Sequence, residues 1–500
     1  MNKSRTMNEP WAMNESRTMN KSRTMNEPWA MNESPTMIEA GRKEEMKKTG
    51  IPITHIKKKV IAASLSLAVL LGISGCGKGN SDVTESGTTD SSVITETVTD
   101  TGAATEAVTE KEDATQGTTQ SSTDEEKSKA VIPELSIEAK HVPDTEAFQF
   151  VKDMKIGVSL GNTFDAYKDT GLSDEMDTET AWVSVKTSKS MIKAFHDAGF
   201  ETIRIPVSWH NHVDAEYTIS EKWAERINQV VDWAIEEGMH VILNIHHDNH
   251  EEANGFYPDK AHMEQSKKYI SRIWEQLAER YKDYDEKLIF ESMNEPRLVG
   301  NQYEWWFPSG NAEVKEATAC INELNQLFVD TVRASGGNNA TRYLMCPGYD
   351  ASPDGALHSD FVIPTDTEEN QGKGRIMVSV HAYTPYSFAL DTKGTSYFSA
   401  AKTSSTQEID SFMDKLYNRY VAKGTPVVIG EFGALDKKNL QERVDYAAYY
   451  IASAKARGMT ALWWDNNAFS GNGENFGLLY RMGGYFVYDD IVAALMRYAD

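Results

Sequence analysis

From residue 145 onwards, short apolar runs alternate with stretches whose apolar residues recur at helical spacing. The runs predict eight strands, at residues 154–161, 202–209, 240–247, 288–294, 343–349, 377–384, 426–432 and 459–465. The stretches between them predict helices, among them 222–237, 261–281, 312–334, 409–423 and 440–457. Eight alternations of strand and helix are the pattern of an α/β fold of the (β/α)8 TIM barrel type. Four predicted helices are followed by glycines suited to end a helix, Gly238, Gly336, Gly424 and Gly458.

The period-two alternation within the strands predicts which side chains face the barrel interior. In the second strand, Ile203 and Ile205 share the face expected to pack against helices, and Arg204 has the opposite parity. The same rule gives interior parity to a set of polar residues near the C-terminal strand ends, Arg204, His246, Glu295, His381 and Tyr383. Buried polar groups are costly unless they are paired or used, so their convergence predicts a functional site at that end of the barrel.

Two carboxylates stand out at these strand ends, Glu295 after the fourth strand and Glu431 at the end of the seventh. Such a pair, with amide, imidazole and aromatic neighbours, suits cleavage of a glycosidic bond. One carboxyl protonates the leaving oxygen while the other attacks the anomeric carbon or activates water. Glu291, four residues earlier, is predicted to be a structural carboxylate below the site that pairs with Arg204.

This chemistry sets expectations for the pKa values and the neighbours of the two carboxyls. The acid needs a pKa raised by burial or by the second carboxylate, and the nucleophile needs the opposite. We expect Arg204 to place positive charge near the nucleophile and Tyr383 to orient it. Asn294 is placed to bind a sugar 2-hydroxyl.

The N-terminal part of the chain has a different character. Residues 1–18 recur at 19–36 with one change, and segment 1–45 is predicted to be a translated DNA repeat upstream of a true start at Met46. Residues 46–76 contain a basic stretch, an apolar run too short to span a membrane and a small-residue cleavage site, which predict a secretory signal peptide. The last four residues resemble a bacterial lipoprotein box, so Cys76 is predicted to be lipidated. The alternative is an ordinary signal peptide with an incidental cysteine.

Composition and charge narrow the picture further. Residues 77–140 are acidic, rich in Ser and Thr and free of aromatic rings, which predicts a disordered tether before a catalytic domain at 141–500. The formal net charge of -24 argues against a nucleic-acid or anionic-lipid surface. Eleven Trp and twenty-one Tyr favour an aromatic-lined site. Cys320 and Cys346 are predicted to be free buried thiols, although their pairing stays open, and no cysteine spacing suggests zinc.

The catalytic domain resembles glycoside hydrolase family 5, the (β/α)8 endoglucanases with catalytic glutamates on strands four and seven. The resemblance covers residues 145–498 and rests on seven ordered motifs, LGNTFDA (160–166), RIPVSW (204–209), NIHHD (244–248), MNEPR (293–297), SVHAYTPY (379–386), GEFGA (430–434) and WWDNN (463–467). It implies that Glu295 is the acid/base and Glu431 the nucleophile of a retaining mechanism. It also implies that the residues next to the reacting sugar are Arg204, His246, Asn294, His381 and Tyr383.

The resemblance also suggests further substrate contacts. The tryptophan of the eighth strand that forms the floor of the cleavage subsite is either Trp463 or Trp464, and we favour Trp464. The motifs are most similar to the branch that acts on β-1,4-glucans, in which Asn162, Trp209 and His212 become minor contacts. Trp305 and Trp306 are candidates for stacking in the leaving-group subsites, with loop packing as the alternative, and weaker candidates for sugar hydrogen bonds are Asp465 and Asn467.

These inferences predict a lipid-anchored or secreted extracellular retaining endo-β-1,4-glucanase that uses no metal or organic cofactor. Its expected partner is a β-glucan polysaccharide, such as cellulose, mixed-linkage glucan or xyloglucan, and its catalytic domain is expected to be monomeric. A β-mannanase or xylanase on the same scaffold is the nearest alternative, because substrate specificity lies in loops. A non-catalytic surface glycan-binding lipoprotein is the alternative of a different class, and it would not need the paired carboxylates.

Overall fold

Eight parallel strands form a closed barrel in which each strand pairs with the next and the eighth pairs with the first. The computed structural model describes residues 129–168, 170–471 and 473–500. Its barrel strands are β1 (Gly157–Leu160), β2 (Thr202–Ile205), β3 (His240–Asn244), β4 (Leu288–Glu291), β5 (Leu344–Pro347), β6 (Ile376–His381), β7 (Val427–Phe432) and β8 (Thr460–Asp465). Each strand overlaps one of the eight predicted runs, so the predicted (β/α)8 barrel is confirmed.

Helices occupy the connections between the strands and both ends of the domain. They are α1 (Glu146–Asp153), α2 (Lys189–Asp197), α3 (Glu221–Glu236), α4 (Met263–Arg280), α5 (Ala312–Ala334), α6 (Pro353–Leu357), α7 (Tyr386–Ala389), α8 (Thr403–Arg419), α9 (Leu440–Lys455) and α10 (Asp489–Arg497). A short antiparallel pair, β9 (Leu479–Tyr480) and β10 (Tyr485–Phe486), precedes α10. The four glycines predicted to end helices all have positive φ angles, between 69° and 91°, which glycine adopts without strain.

The two faces of the strands pack against different partners, as the alternation predicts. Ile203 and Ile205 belong to a large apolar core that also contains the buried faces of the surrounding helices. The opposite face contributes to a separate inner cluster, whose members on or beside the strands are Ile242, Ile289, Tyr343, Met345, Met377, Val428 and Leu462. Three residues of α1, together with Met154 just after it, complete this cluster, and Phe150 stacks on Tyr343 at 3.9 Å between ring centroids. The N-terminal end of the barrel is therefore filled with apolar side chains, which leaves the C-terminal end for polar ones.

Residues before the predicted domain boundary at residue 141 pack on the barrel domain. Residues 130–140, which the sequence assigned to the disordered tether, lie against α9, α10 and the residues that directly follow these helices. The backbone N–H of Val131 donates to Gln441 Oε1 at 2.8 Å, that of Leu135 to the Tyr498 hydroxyl at 2.9 Å, and that of Lys140 to the Ala456 carbonyl at 2.7 Å. These long-range hydrogen bonds fix a segment whose polar composition resembles that of a tether.

Several sequence predictions fall on residues 1–128 and lie outside the described residues. They include the repeat, the start at Met46, the signal peptide, Cys76 and most of the tether. Among the residues that the structure describes, no helix combines the length and the apolar character needed to cross a membrane. Cys320 in α5 and Cys346 in β5 are both free and buried, which confirms the prediction for these thiols.

Candidate active site

Arg204 lies fully buried in the barrel interior and binds acceptors from two other strands and the loop after β4. Its Nε donates to Glu291 Oε2 at 2.8 Å, its Nη1 to Glu431 Oε1 at 2.7 Å and its Nη2 to Asn294 Oδ1 at 2.6 Å. The predicted pairing of Arg204 with Glu291 is therefore confirmed. Because a guanidinium presents its donors in fixed directions in one plane, it holds the three acceptors in one geometry.

Glu291 provides the negative charge beneath the site. Its carboxylate also accepts hydrogen bonds from Asn244 Nδ2 at 3.0 Å and from the Ser379 hydroxyl at 2.5 Å. Burial disfavours the ionised form, but the charge of Arg204 and the hydrogen bonds outweigh it and lower the pKa of Glu291 to about 2. Glu291 therefore stays ionised and serves as the fixed counter-ion of Arg204.

Glu431 reaches the interior because β7 departs from strict alternation. Its pairings with β6 and β8 shift register in the stretch between Ile429 and Phe432. Gly430 makes room beside it, since a Cβ there would lie only 3.0 Å from His381 Nε2. The Glu431 carboxylate is held from two sides, by Arg204 and by the Tyr383 hydroxyl, which donates to its Oε2 at 2.9 Å.

Glu295 lies opposite Glu431, in the loop that follows β4. Its Oε1 is 2.8 Å from His381 Nδ1, and the same nitrogen is 3.6 Å from Glu431 Oε1. An oxygen of Glu295 and an oxygen of Glu431 lie within 4.8 Å of each other. The two carboxylates predicted from separate strands thus meet beside the same nitrogen of His381.

The protonation of this group differs from the sequence-based expectation. Burial opposes ionisation of Glu295, but the hydrogen bond and the charge of His381 outweigh it, so the pKa of Glu295 lies below its usual value. Burial raises the pKa of Glu431, with His381 and Arg204 opposing the rise. Burial alone would lower the pKa of His381, but the neighbouring carboxylates raise it to about 9. At neutral pH His381 is therefore protonated, and its Nδ1 lies 2.8 Å from Glu295 Oε1.

Trp464 faces the interior, whereas Trp463 faces the outer core. Trp463 is fully buried and its Nε1 donates to the carbonyl of Phe476. Trp464 has the same parity as the interior residue Leu462 and lies parallel to His246, with 5.6 Å between ring centroids. Gly161 allows this position, because a Cβ there would lie 2.6 Å from the Trp464 ring. The orientation favours Trp464 as the floor of the site.

Two of the predicted minor contacts lie away from the site. Trp209 is fully buried and its Nε1 donates to the backbone carbonyl of Asn244. The His212 ring has no exposed surface and stacks on Trp223 of α3 at 3.7 Å. Neither ring offers surface to a ligand, so the expectation for Trp209 and His212 is wrong. Asn162 is half-buried with a φ of 59°, and it follows Gly161 at the edge of the site.

The family comparison agrees with this geometry. Residues 165–470 match the description "Cellulase (glycosyl hydrolase family 5)". The chain belongs to glycosyl hydrolase family 5. The matched residues extend from the loop after β1 to the loop after β8, so they include every strand that contributes to the two-carboxylate site.

Several named proteins are similar to this chain. Cellulase/esterase CelE of Acetivibrio thermocellus is 41% identical over 359 residues, which are 71% of this chain and 40% of that protein. Endoglucanase A of Clostridium longisporum is 39% identical over 355 residues, 70% of this chain and 65% of that protein. The chain thus spans less than two thirds of either relative. A glycoside hydrolase 5 lichenase from Caldicellulosiruptor sp. F32, solved in complex with cellotetraose, has 53% identity and a TM-score of 0.72, covering 74% of this chain and 100% of that one.

Two exposed tryptophans lie in the long loop after β4 of this family 5 barrel. Trp305 is 56% exposed and Trp306 is 68% exposed. One face of Trp305 is covered by the guanidinium of Arg297, whose central carbon lies 3.8 Å from the ring centroid.

The weaker candidates for sugar hydrogen bonds, at the end of β8 and just after it, form hydrogen bonds within the protein. Asp465 accepts the backbone N–H groups of residues 478 and 479, and Asn467 Oδ1 accepts that of residue 481.

Sequence reasoning missed several residues that surround the family 5 site. An aromatic cluster of Tyr167, Trp182 and His247 adjoins His246, whose ring centroid is 4.4 Å from that of His247. Glu474 lies at the solvent edge, where enclosure by protein atoms and repulsion from Glu431 and Glu295 raise its pKa to about 7. His247 follows His246 within a quoted motif, but no local signal marks Trp182 or Glu474, because each reaches the site through a loop.

Within the part of the chain that the structure describes, two clusters of residues have the chemistry of metal ligands, and their members take part in hydrogen bonds within the protein. One consists of Glu295, His381 and Glu431, which contact one another as described. The other consists of Asp165, His246 and His247. The two oxygens of Asp165 accept the backbone N–H groups of residues 162 and 163 at 3.0 and 2.7 Å, so this carboxylate shapes the turn after β1.

Replacing Glu291 with glutamine is expected to lower the free energy of unfolding at pH 7 by about 3 to 5 kcal/mol. The reason is that Arg204 keeps its buried charge but loses one of its carboxylate partners. The folded-state pKa of about 2 lies below the ordinary value of 4.5, so this stabilisation is fully present above about pH 4.5 and is lost as the pH falls towards 2. Urea unfolding across this pH range checks both the loss and its pH dependence.

Glu236→Gln is the matched control for this test. Glu236 pairs with Lys189 on the exposed surface, where an ion pair contributes little because solvent screens it. We expect no measurable loss of stability for this variant. Equal effects of the two substitutions would contradict the role assigned to Glu291.

Proposed function

We propose that this chain is a retaining endo-β-1,4-glucanase that hydrolyses β-glucans through a covalent glycosyl-enzyme intermediate. The observation that carries the proposal is the pair of facing carboxylates, whose nearest oxygens lie within 4.8 Å. Carboxyl groups about 5 to 5.5 Å apart suit direct attack on the anomeric carbon, whereas inverting enzymes need about 6.5 to 9.5 Å to admit a water molecule.

Glu431 acts as the nucleophile in this mechanism. Arg204 and the Tyr383 hydroxyl each bind one of its oxygens and fix its direction of attack. A Glu431 oxygen forms a bond to the anomeric carbon while the bond to the leaving oxygen breaks. In the second step a water oxygen takes the place of Glu431, which leaves as a carboxylate, and the configuration is retained overall.

Glu295 acts as the acid in the first step and as the base in the second. Before the substrate binds, the neighbouring His381 holds the proton that Glu295 will use. A bound sugar excludes water, which disfavours the ion pair of imidazolium and carboxylate and favours transfer of the proton to Glu295. Glu295 then protonates the leaving oxygen, and it later accepts a proton from the attacking water.

The remaining polar and aromatic residues bind the sugars. Trp464 and His246 form the floor beneath the reacting sugar. Arg204 donates a hydrogen bond to Oδ1 of Asn294. The amide N–H groups of Asn294 are therefore the donors that bind the 2-hydroxyl of the reacting sugar. The exposed Trp305 and Trp306 stack on sugars on the leaving-group side, because flat rings pack against the apolar faces of sugars.

The substrate class is a β-1,4-linked glucan, with cellulose, mixed-linkage glucan and xyloglucan as its members. The proposal is supported by the names of the similar proteins, which are cellulases, endoglucanases and a lichenase that binds cellotetraose.

The chain acts outside the cell and is anchored by a lipid on Cys76. The basic stretch, apolar run and lipoprotein-like box of residues 46–76 support this part of the proposal. Growth with a radiolabelled fatty acid is expected to label the wild-type protein and to leave Cys76→Ala unlabelled. Equal labelling of the two proteins would contradict lipidation at this residue.

Azide rescue distinguishes the roles of the two glutamates. Glu295→Ala and Glu431→Ala are each expected to lose several orders of magnitude in turnover of β-glucan while remaining folded. With an activated aryl β-cellobioside and azide, the Glu431 variant should form the α-glycosyl azide, because azide attacks in place of the missing carboxylate. The Glu295 variant should form the β-glycosyl azide, because azide then attacks the covalent intermediate. NMR of the products checks the assignment, and the opposite configurations would reverse the roles.

A substrate panel tests the specificity and the class of the protein. Reducing-sugar release is expected from barley glucan, carboxymethylcellulose or xyloglucan, and it should exceed that from glucomannan and xylan. Preference for glucomannan or xylan would identify a β-mannanase or a xylanase instead. Binding of glucan without any hydrolysis would identify a non-catalytic glycan-binding protein and would end the proposal of an enzyme.

A further inference from the structure

Arg297, two residues after Glu295, is a largely enclosed cation that the mechanism above does not use. Its Nη1 donates to the backbone carbonyl of Glu295 at 2.9 Å and lies 3.6 Å from Glu295 Oε2. Its Nε lies 3.5 Å from Glu304 Oε1 and 3.9 Å from Asp350 Oδ1. The guanidinium thus touches the acid/base carboxylate on one edge and two further carboxylates on another.

The face of the same guanidinium covers the Trp305 ring. A separation of 3.8 Å between the guanidinium carbon and the ring centroid is a close cation–π contact. The side chain of Arg297 is 14% exposed, whereas Trp305 remains 56% exposed. Arg297 therefore supports one face of an aromatic ring whose other surface is open to a ligand.

The backbone of Arg297 is fixed independently of its side chain. Its N–H donates to Asn249 Oδ1 at 2.8 Å, and its carbonyl accepts from Asn249 Nδ2 at 3.0 Å. The next residue, Leu298, donates its N–H to the buried Tyr349 hydroxyl. These contacts place the arginine in one position rather than leaving it as a mobile surface charge.

We propose that Arg297 is a positioning residue that couples the protonation of Glu295 to the aromatic surface of Trp305 on the leaving-group side. The inference rests on the proposed function, in which Glu295 is the acid/base. One side chain thereby serves both proton transfer and binding of the departing sugar. Replacement of Arg297 changes both properties, and replacement of a distant arginine changes neither.

The charge of Arg297 favours the carboxylate form of Glu295. Other charged or titratable groups also face Glu295, and they are His381 from β6, Tyr383 after β6, Glu431 from β7, His247 after β3, Asp350 after β5 and Glu474 from the loop after β8. Glu304 and Asp350 partly offset the arginine charge. Arg297 therefore favours the carboxylate form of Glu295, and it lowers the pH above which the pair of His381 and Glu295 loses the proton needed in the first step.

Arg297→Met removes the charge and retains the apolar stem, so it is the direct test. The basic limb of the pH profile of kcat/KM reports loss of the proton that His381 passes to Glu295. It is expected to move to higher pH, because loss of a nearby positive charge raises the affinity of this pair for its proton. The KM for a cello-oligosaccharide that reaches the leaving-group side should rise several-fold, since Trp305 loses its support. Arg297→Lys keeps the positive charge but loses the planar group that stacks on Trp305. Its basic limb should therefore stay at the wild-type pH, while its KM for the cello-oligosaccharide should rise.

Arg375→Met is the matched control. Arg375 also lies over an aromatic ring, with 4.4 Å to the Tyr343 centroid, and also pairs with two carboxylates, Glu146 and Glu286. Because it precedes β6 at the opposite end of the barrel, its replacement should leave both the basic limb and the KM unchanged. Trp305→Ala should raise the KM, and its effect should be less than additive with that of Arg297→Met.

The outcomes separate this inference from the proposed function. If wild-type protein cleaves β-glucan but Arg297→Met keeps the wild-type basic limb, the inference is overturned and the proposed function stands. If wild-type protein cleaves no β-glucan, the proposed function fails. The coupling is then read from the 13C NMR titration of the Glu295 carboxyl, assigned by its loss in Glu295→Gln. An unchanged titration in Arg297→Met overturns the inference in that case.

Discussion

A guanidinium charge buried at the centre of a barrel requires carboxylates around it, and the site is built on this requirement. Arg204 is fully buried, and its partners Glu291 and Glu431 come from β4 and β7. Glu291 neutralises the charge from below, which leaves Arg204 free to fix the direction of Glu431. Removing either partner would leave part of the charge uncompensated, so stability and the geometry of the proposed nucleophile depend on the same ion pairs.

The barrel separates its apolar and polar interiors along its axis. The inner cluster and α1 fill the N-terminal end, and above them the interior is polar from Arg204 upwards. The loops beyond the strands then add groups that the strands cannot provide, such as Trp305 and Glu474. This division suits a barrel that keeps one catalytic arrangement while its loops adapt to different glucans.

The sequence predicts the strands and the interior polar residues well, because apolar runs and period two are local properties. Sequence reasoning fails for features that depend on contacts between residues far apart in the chain. The His212 ring turns away from the site to stack on Trp223, a residue on another element. Residues 130–140 look like a tether in composition, yet α9, α10 and the residues that directly follow these helices bind them through backbone hydrogen bonds. The pKa of Glu295 depends on a 2.8 Å contact with His381 that no motif reveals.

The central claim is that Glu431 attacks the anomeric carbon to form a covalent intermediate. An aryl 2-deoxy-2-fluoro-β-cellobioside tests it directly, because the fluorine slows both chemical steps and the good leaving group allows the first one to proceed. After incubation and proteolysis, mass spectrometry identifies the residue that carries the sugar. The account predicts a single fluorosugar on Glu431. A fluorosugar on Glu295 or on another residue, or hydrolysis with inverted configuration and no adduct, would contradict it.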